Sequence, residues 1–103
     1  MREADKTDLA IPDFALVIAG RVVPGRIDAV FATPGGGYEV VDWKTGGAKS
    51  ADALQLAVYR LAWAERMSVP LESVGAAFVM LRTGEVIRPT GLADRARLEE
   101  LLG

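Results

Sequence analysis

The chain has 103 residues, half of them apolar, with twelve basic and fourteen acidic side chains. That is enough for one globular domain, and it carries no global positive field of the kind a strongly basic nucleic-acid binder shows. It contains no cysteine and no histidine. Disulfides, zinc ribbons, iron–sulfur clusters, thiol catalysis, Ser-His-Asp triads and H-E-x-x-H zinc sites are therefore excluded together. Any chemistry must come from carboxylates, lysine, tyrosine, hydroxyls and a hard metal ion. The opening "MREADKTDLA" is charged and lacks the apolar run of a signal peptide. No apolar stretch approaches bilayer-spanning length, so a cytoplasmic protein without membrane contact is expected.

Residues 1–13 read as a polar lead, set apart from a single domain over 14–103. "FALVIAG" (14–20) is a short strand stopped by Gly20. "RVVPGRIDAVFA" (21–32) reads as one second strand, in which Pro24-Gly25 marks a bulge, an edge or a late start. "TPGGG" (33–37) is a turn by composition, and "YEVVDWKT" (38–45) is a third strand rich in aromatic and β-branched residues. The three strands are expected to form an antiparallel meander. Gly46 and Gly47 end the last of them. Ser50 is the expected N-cap of the next element, with Asp52 in its first turn.

"ADALQLAVYRLAWAERM" (51–67) carries the clearest helical pattern, with Leu54, Ala57, Val58 and Leu61 on one stripe. Its alanines favour the same state. "VGAAFVML" (74–81) reads as a buried strand, "EVIRP" (85–89) as its short partner after a Thr83-Gly84 turn. "LADRARLEELLG" (92–103) closes the chain as a helix, with Leu98, Leu101 and Leu102 together on its packing side. The order β-β-β-α-β-β-α predicts a mixed α/β, α+β-like domain, a central mixed sheet flanked by helices.

Within this frame "EVVDWKTGG" (39–47) poses a chemical question. Strand alternation puts Asp42 and Lys44 on one face and Trp43 on the other. A symmetric hairpin about Gly35 would further set Ala32 against Tyr38, Val30 against Val40 and Asp28 against Asp42. Directly opposed carboxylates lie with Cβ atoms about 5 Å apart and destabilise a sheet. Two readings follow. Asp28 and Lys44 are solvated surface groups forming weak ion pairs, or the two acids share a hard divalent cation, with Lys44 stabilising charge on a phosphate. On the helix, Gln55 and Tyr59 are four residues apart and share a side. That side can approach the end of strand 38–45, although such residues are also common at the margin of a core.

Other features read as structural. "GGAKS" (46–50) lacks the G-x-x-x-x-G-K-[ST] spacing of a phosphate-binding loop. Trp63 is expected in the core rather than as a base-stacking platform, and Arg60 and Arg66 are expected to face solvent.

"GRIDAVF", "YEVVDWKTG" and "LQLAVYRLAWA", in that order, resemble the Gly-x-x-Asp strand, Asp-x-Lys-Thr-Gly strand and Gln-x-x-x-Tyr helix of RecB-type nucleases in the PD-(D/E)XK superfamily. The wording is most similar to nuclease domains fused to the C-terminus of UvrD/Rep-like helicases. The resemblance covers residues 14–64 closely and the rest loosely. It implies a restriction-endonuclease-like core and hydrolysis of DNA phosphodiesters in repair or recombination. It further implies Mg²⁺ or Mn²⁺ held by Asp28, Asp42 and the backbone carbonyl of Trp43. Lys44 would orient the attacking water, and Gln55 and Tyr59 would hold the site or the DNA strand. The implied partners are DNA and upstream helicase domains of the same polypeptide. The family's usual acidic or histidine residue on a preceding helix has no match. Glu3, Asp5 and Asp8 are the nearest acids, and the chain reads as cut from a longer protein. Two alternatives stand beside this reading: an inactive nuclease-like module that binds DNA or braces a helicase, and a structural interaction domain.

Overall fold

The computed structural model describes residues 13–46 and 52–102. The polar lead up to Pro12, with Glu3, Asp5 and Asp8, lies outside the described residues, as do Ser50 and all but the first residue of "GGAKS". The chain forms strands β1 (Phe14–Ile18), β2 (Arg21–Gly25), β3 (Ala29–Ala32), β4 (Tyr38–Lys44), β5 (Val74–Met80) and β6 (Val86–Ile87). Helix α1 (Ala53–Met67) joins β4 to β5, and α2 (Arg95–Leu102) follows β6. The main sheet has the order β3-β4-β5-β6, with β4 and β5 parallel and both outer pairs antiparallel. This is the mixed α/β architecture expected, compatible with a restriction-endonuclease-like core.

The expected meander is wrong in one respect. The stretch 21–32 is two strands rather than one, and β1 pairs with β2 as a separate two-stranded sheet. Pro24 has no N–H to offer a further strand, and the chain leaves the hairpin after Gly25. The hairpin closes through Ala19 and Gly20, both at positive φ (52° and 77°). Two such residues make the tight turn whose twist suits paired strands. The second hairpin matches its expected register, with Ala29 opposite Val41, Val30 opposite Val40 and Ala32 opposite Tyr38. Its turn is fastened by the Thr33 N–H to the Gly37 carbonyl at 2.9 Å.

Helix α1 lies between the two sheets. Leu56, Trp63 and Ala64 pack with Val30, Val40, Phe78 and Met80 of the main sheet. Ala57, Val58, Leu61 and Ala62 pack instead with Leu16 and Ile18 of the hairpin and Leu98 of α2. Burial on two sides explains why the apolar stripe is broader than the expected Leu54-Ala57-Val58-Leu61 line. It also explains why Leu54, one position outside both contacts, is exposed. The helix starts at Ala53 rather than 51, because Asp52 itself caps it. The Asp52 carboxylate accepts from the N–H groups of Leu54 (3.0 Å) and Gln55 (3.3 Å), where its charge also complements the helix dipole. At the other end Ser68 adopts the left-handed conformation, and the Val69 N–H reaches back to Ala64 O at 3.0 Å, a Schellman closure.

In α2, which begins at Arg95 rather than 92, Leu98 is fully buried and Leu102 half-buried, whereas Leu101 is exposed. This eight-residue helix meets the rest of the fold along a line through Leu98 and Leu102, which are one turn apart. Leu101 therefore leaves the expected stripe.

Trp63 is in the core as expected, its ring edge-on to Tyr38 at 5.6 Å. Arg60 is a correction. Its Nε donates to the Val74 carbonyl at 2.6 Å and one terminal nitrogen to the Leu71 carbonyl at 3.0 Å. It thereby ties α1 to the start of β5 rather than facing solvent. Arg60→Met is expected to cost about 2–3 kcal/mol in urea denaturation, because two half-buried carbonyls lose a charged donor. A loss below about 0.5 kcal/mol would show that water replaces the guanidinium there.

Candidate active site

The acids meet where β3 begins and β4 ends. Carrying the register of Ala29 and Val41 one residue further sets Asp28 opposite Asp42. Asp28 precedes β3 and turns one oxygen to the backbone: its Oδ2 accepts from the Trp43 N–H at 2.9 Å. Asp42 is only 5% exposed and is the single buried charged side chain among the described residues. Lys44 Nζ lies 3.1 Å from Asp42 Oδ2, on the same side of the strand. That oxygen has charge beside it but no aligned hydrogen-bond donor among the described residues.

The electrostatics follow from this crowding. Burial pushes the Asp42 carboxyl above its ordinary range, and the neighbouring Asp28 carboxyl pushes it further, while Lys44 pulls in the opposite direction. Tyr59 responds to the same charges. Burial raises its phenol first, then the negative fields of Asp42, Asp28 and Asp52. Arg26 lies close enough to feel Asp28, yet its guanidinium is spent chiefly on Asp13 at 2.8 Å.

The structure thus brings Asp28, Asp42, Lys44 and Tyr59 to one end of the sheet. The carboxyl ends of parallel strands are where open α/β sheets generally place ligands. Gln55 stands one turn before Tyr59 and lines a groove of about 260 Å³ with Val23, Pro24, Asp52 and Tyr59. Its side chain makes no hydrogen bond to Lys44 among the described residues. The Trp43 indole is on the opposite side of the strand and 42% exposed; toward the acids Trp43 turns only its backbone. The Gly-x-x-Asp pattern includes Gly25, but sequence reasoning missed that it and Phe14 pack against Tyr59. A glycine inside a strand three residues before Asp28 was the available signal of close approach.

A family model described as the PD-(D/E)XK nuclease superfamily matches residues 2–102. The chain belongs to the PD-(D/E)XK nuclease superfamily. No curated protein and no solved structure matches it. Members of the superfamily are generally phosphodiesterase nucleases and typically use divalent metals.

Two observations test whether a PD-(D/E)XK metal fits these residues. A buried carboxylate oxygen lacks an aligned donor, and a second carboxyl stands opposite it across the β3–β4 hairpin. An all-oxygen set of this kind suits a hard cation. The described residues contain no group of three or more acidic, histidine or cysteine side chains. Two carboxylates nevertheless suffice for Mg²⁺, which usually completes its shell with water and substrate phosphate. The donor set fits.

Proposed function

We propose that this PD-(D/E)XK domain is a metal-dependent deoxyribonuclease of the RecB type. The observation that carries the reading is Asp28 facing a buried Asp42, with the Lys44 ammonium 3.1 Å from the latter. Asp28 and Asp42 would hold Mg²⁺ or Mn²⁺, with the Trp43 backbone carbonyl as a further ligand. Bound there, the ion would lower the pKa of its water and neutralise charge on the scissile phosphate. Lys44, on the same side as Asp42, orients the attacking water and stabilises negative charge as the phosphorus becomes five-coordinate. Tyr59 and Gln55 flank this centre from α1 and steady the DNA strand.

The order of "GRIDAVF", "YEVVDWKTG" and "LQLAVYRLAWA" supports a further placement. In this reading the domain is the nuclease of a helicase–nuclease acting in DNA repair or recombination, joined to UvrD/Rep-like helicase domains.

The direct test is cleavage of single- and double-stranded DNA by the purified chain with Mg²⁺ or Mn²⁺, and with a chelator present. Metal-dependent cleavage is expected. Binding has its own readout, because an ion that binds only the folded protein raises its stability by mass action. That gain is about 2.7 kcal/mol at a hundredfold excess over Kd, visible as a higher melting temperature. Metal-induced stabilisation without cleavage would favour a DNA-binding or helicase-bracing role. An unchanged melting temperature together with no cleavage would remove the nuclease reading.

A further inference from the structure

Gly25 ends β2 in a conformation that does not need glycine, since its φ is not among the positive ones. What it needs is room. A Cβ at this position would lie 2.5 Å from Phe14 Cζ, 2.9 Å from Phe14 Cε2 and 3.0 Å from Tyr59 Cε1. Phe14 is the residue directly opposite Gly25 in the hairpin. Its ring meets that of Tyr59 edge to face, with centroids 5.6 Å apart and planes at 81°. The two rings and the bare backbone therefore form one tight stack between the hairpin and α1. Gly25 stands three residues ahead of Asp28, which lies opposite Asp42, so the stack adjoins the stretch that carries the acid pair. After burial, the charges of these acids raise the Tyr59 phenol.

We propose that the β1–β2 hairpin is a clamp for Tyr59, in which Gly25 and Phe14 are positioning residues that hold the phenol beside the Asp28–Asp42 pair. Its catalytic consequence rests on the nuclease reading above. Among the described residues the hairpin shares no hydrogen-bonded ladder with the main sheet, so beyond the short link from Gly25 to Asp28 its hold on the site passes through side chains. A tyrosine ring seated from one side by an aromatic edge and from another by a strand backbone has little freedom to swing. Misplacement of a group by about 1 Å can cost a reaction a hundredfold. A glycine that admits the ring closely is thus a geometric determinant of a site it does not touch.

The test uses the whole chain in a Tyr38→Phe background. Since the protein has two tyrosines, Tyr59 is then the only one, and ring-labelled tyrosine reports on it alone by NMR. Gly25→Ala is expected to lower kcat for DNA cleavage about tenfold or more and to shift the Tyr59 ring resonances. Adding Phe14→Leu removes the clashing Cε2 and Cζ atoms and should recover a large part of that kcat, a non-additive cycle that generic loss of packing does not produce. Tyr59→Phe should lose at least as much activity as Gly25→Ala. If Gly25→Ala does not fold, Phe14→Leu alone is the second arm: a fall in kcat of a few-fold, with Tyr59 resonances changed as its ring gains freedom. Wild-type kcat in Gly25→Ala or in Tyr59→Phe, or strictly additive losses in the double variant, would overturn the clamp. Should the wild type itself not cleave DNA, the nuclease reading fails. The NMR arm then decides the clamp alone, and Tyr59 resonances left in place by both Gly25→Ala and Phe14→Leu would overturn it.

Discussion

Asp42→Asn is expected to abolish metal-dependent DNA cleavage, by a factor of about a hundred to a thousand or more, while leaving the apo fold at least as stable as the wild type. The two effects share one cause. In the folded protein, burial and then the neighbouring Asp28 carboxyl raise Asp42 above its ordinary value of 3.8, against the pull of Lys44. The folded state therefore holds this proton more tightly than the unfolded chain. Stability linked to Asp42 is fully present below the ordinary carboxylate range, and it is lost as pH rises through the raised folded value. An amide has no charge to desolvate, so the variant should lack this slope. The measurement is the difference in melting temperature between wild type and variant across acid to neutral pH. It should favour the variant increasingly as pH rises above 3.8, and Mg²⁺ should narrow the gap by stabilising only the wild type. A variant clearly less stable than wild type at neutral pH would mean that the ion pair with Lys44 outweighs the cost of burying the carboxylate.

Lys44→Met carries the opposite sign. Among the described residues the ammonium is the one cation within ion-pair distance of a carboxylate that is otherwise crowded by a second acid. Removing one partner of a buried pair commonly costs about 3–5 kcal/mol, because the remaining charge has no counter-ion. Lys44 is itself partly exposed, with 18% of its side chain accessible, which places the expectation toward the lower end. Equilibrium urea denaturation at neutral pH should show this loss, and acidification or divalent metal should reduce it by neutralising Asp42. Cleavage should fall at least a hundredfold, since the residue proposed to orient water and stabilise phosphate charge is gone. If Lys44→Met cleaves at the wild-type rate, Lys44 is only a counter-ion and the proposed chemistry is wrong.

These two residues were legible in the sequence for a simple reason. The turn "TPGGG" fixes a local register, and strand alternation then fixes which side chains face each other. No distant contact is needed to infer that Asp28 opposes Asp42 or that Lys44 shares the side of Asp42. The long helix and the β5 strand were legible because each carries its own periodic pattern. The failures all concern what packs against what. Leu54 and Leu101 look like core positions along the chain, but the placement of hairpin and sheet decides which sides of α1 and α2 are covered. The break of 21–32 into two strands depends on pairing partners that a linear reading does not supply. Arg60 finds its carbonyls only once the middle of α1 is laid beside the start of β5. Gly25 shows the limit most clearly: its role is a void, shaped by rings from residues 14 and 59.

The two acids are drawn together by the β3–β4 hairpin, an element whose contacts are close in sequence, whereas the parallel β4–β5 pair that encloses Asp42 must wait for the intervening helix. Local elements of this kind generally form ahead of long-range parallel pairings. Carboxylate repulsion is then met at the outset of folding, before Lys44 has a buried partner to neutralise. Chain assembly should accordingly run faster in mildly acidic solution than at neutrality, so that the feature proposed to recruit a metal for turnover also sets the pace at which the molecule reaches its native state.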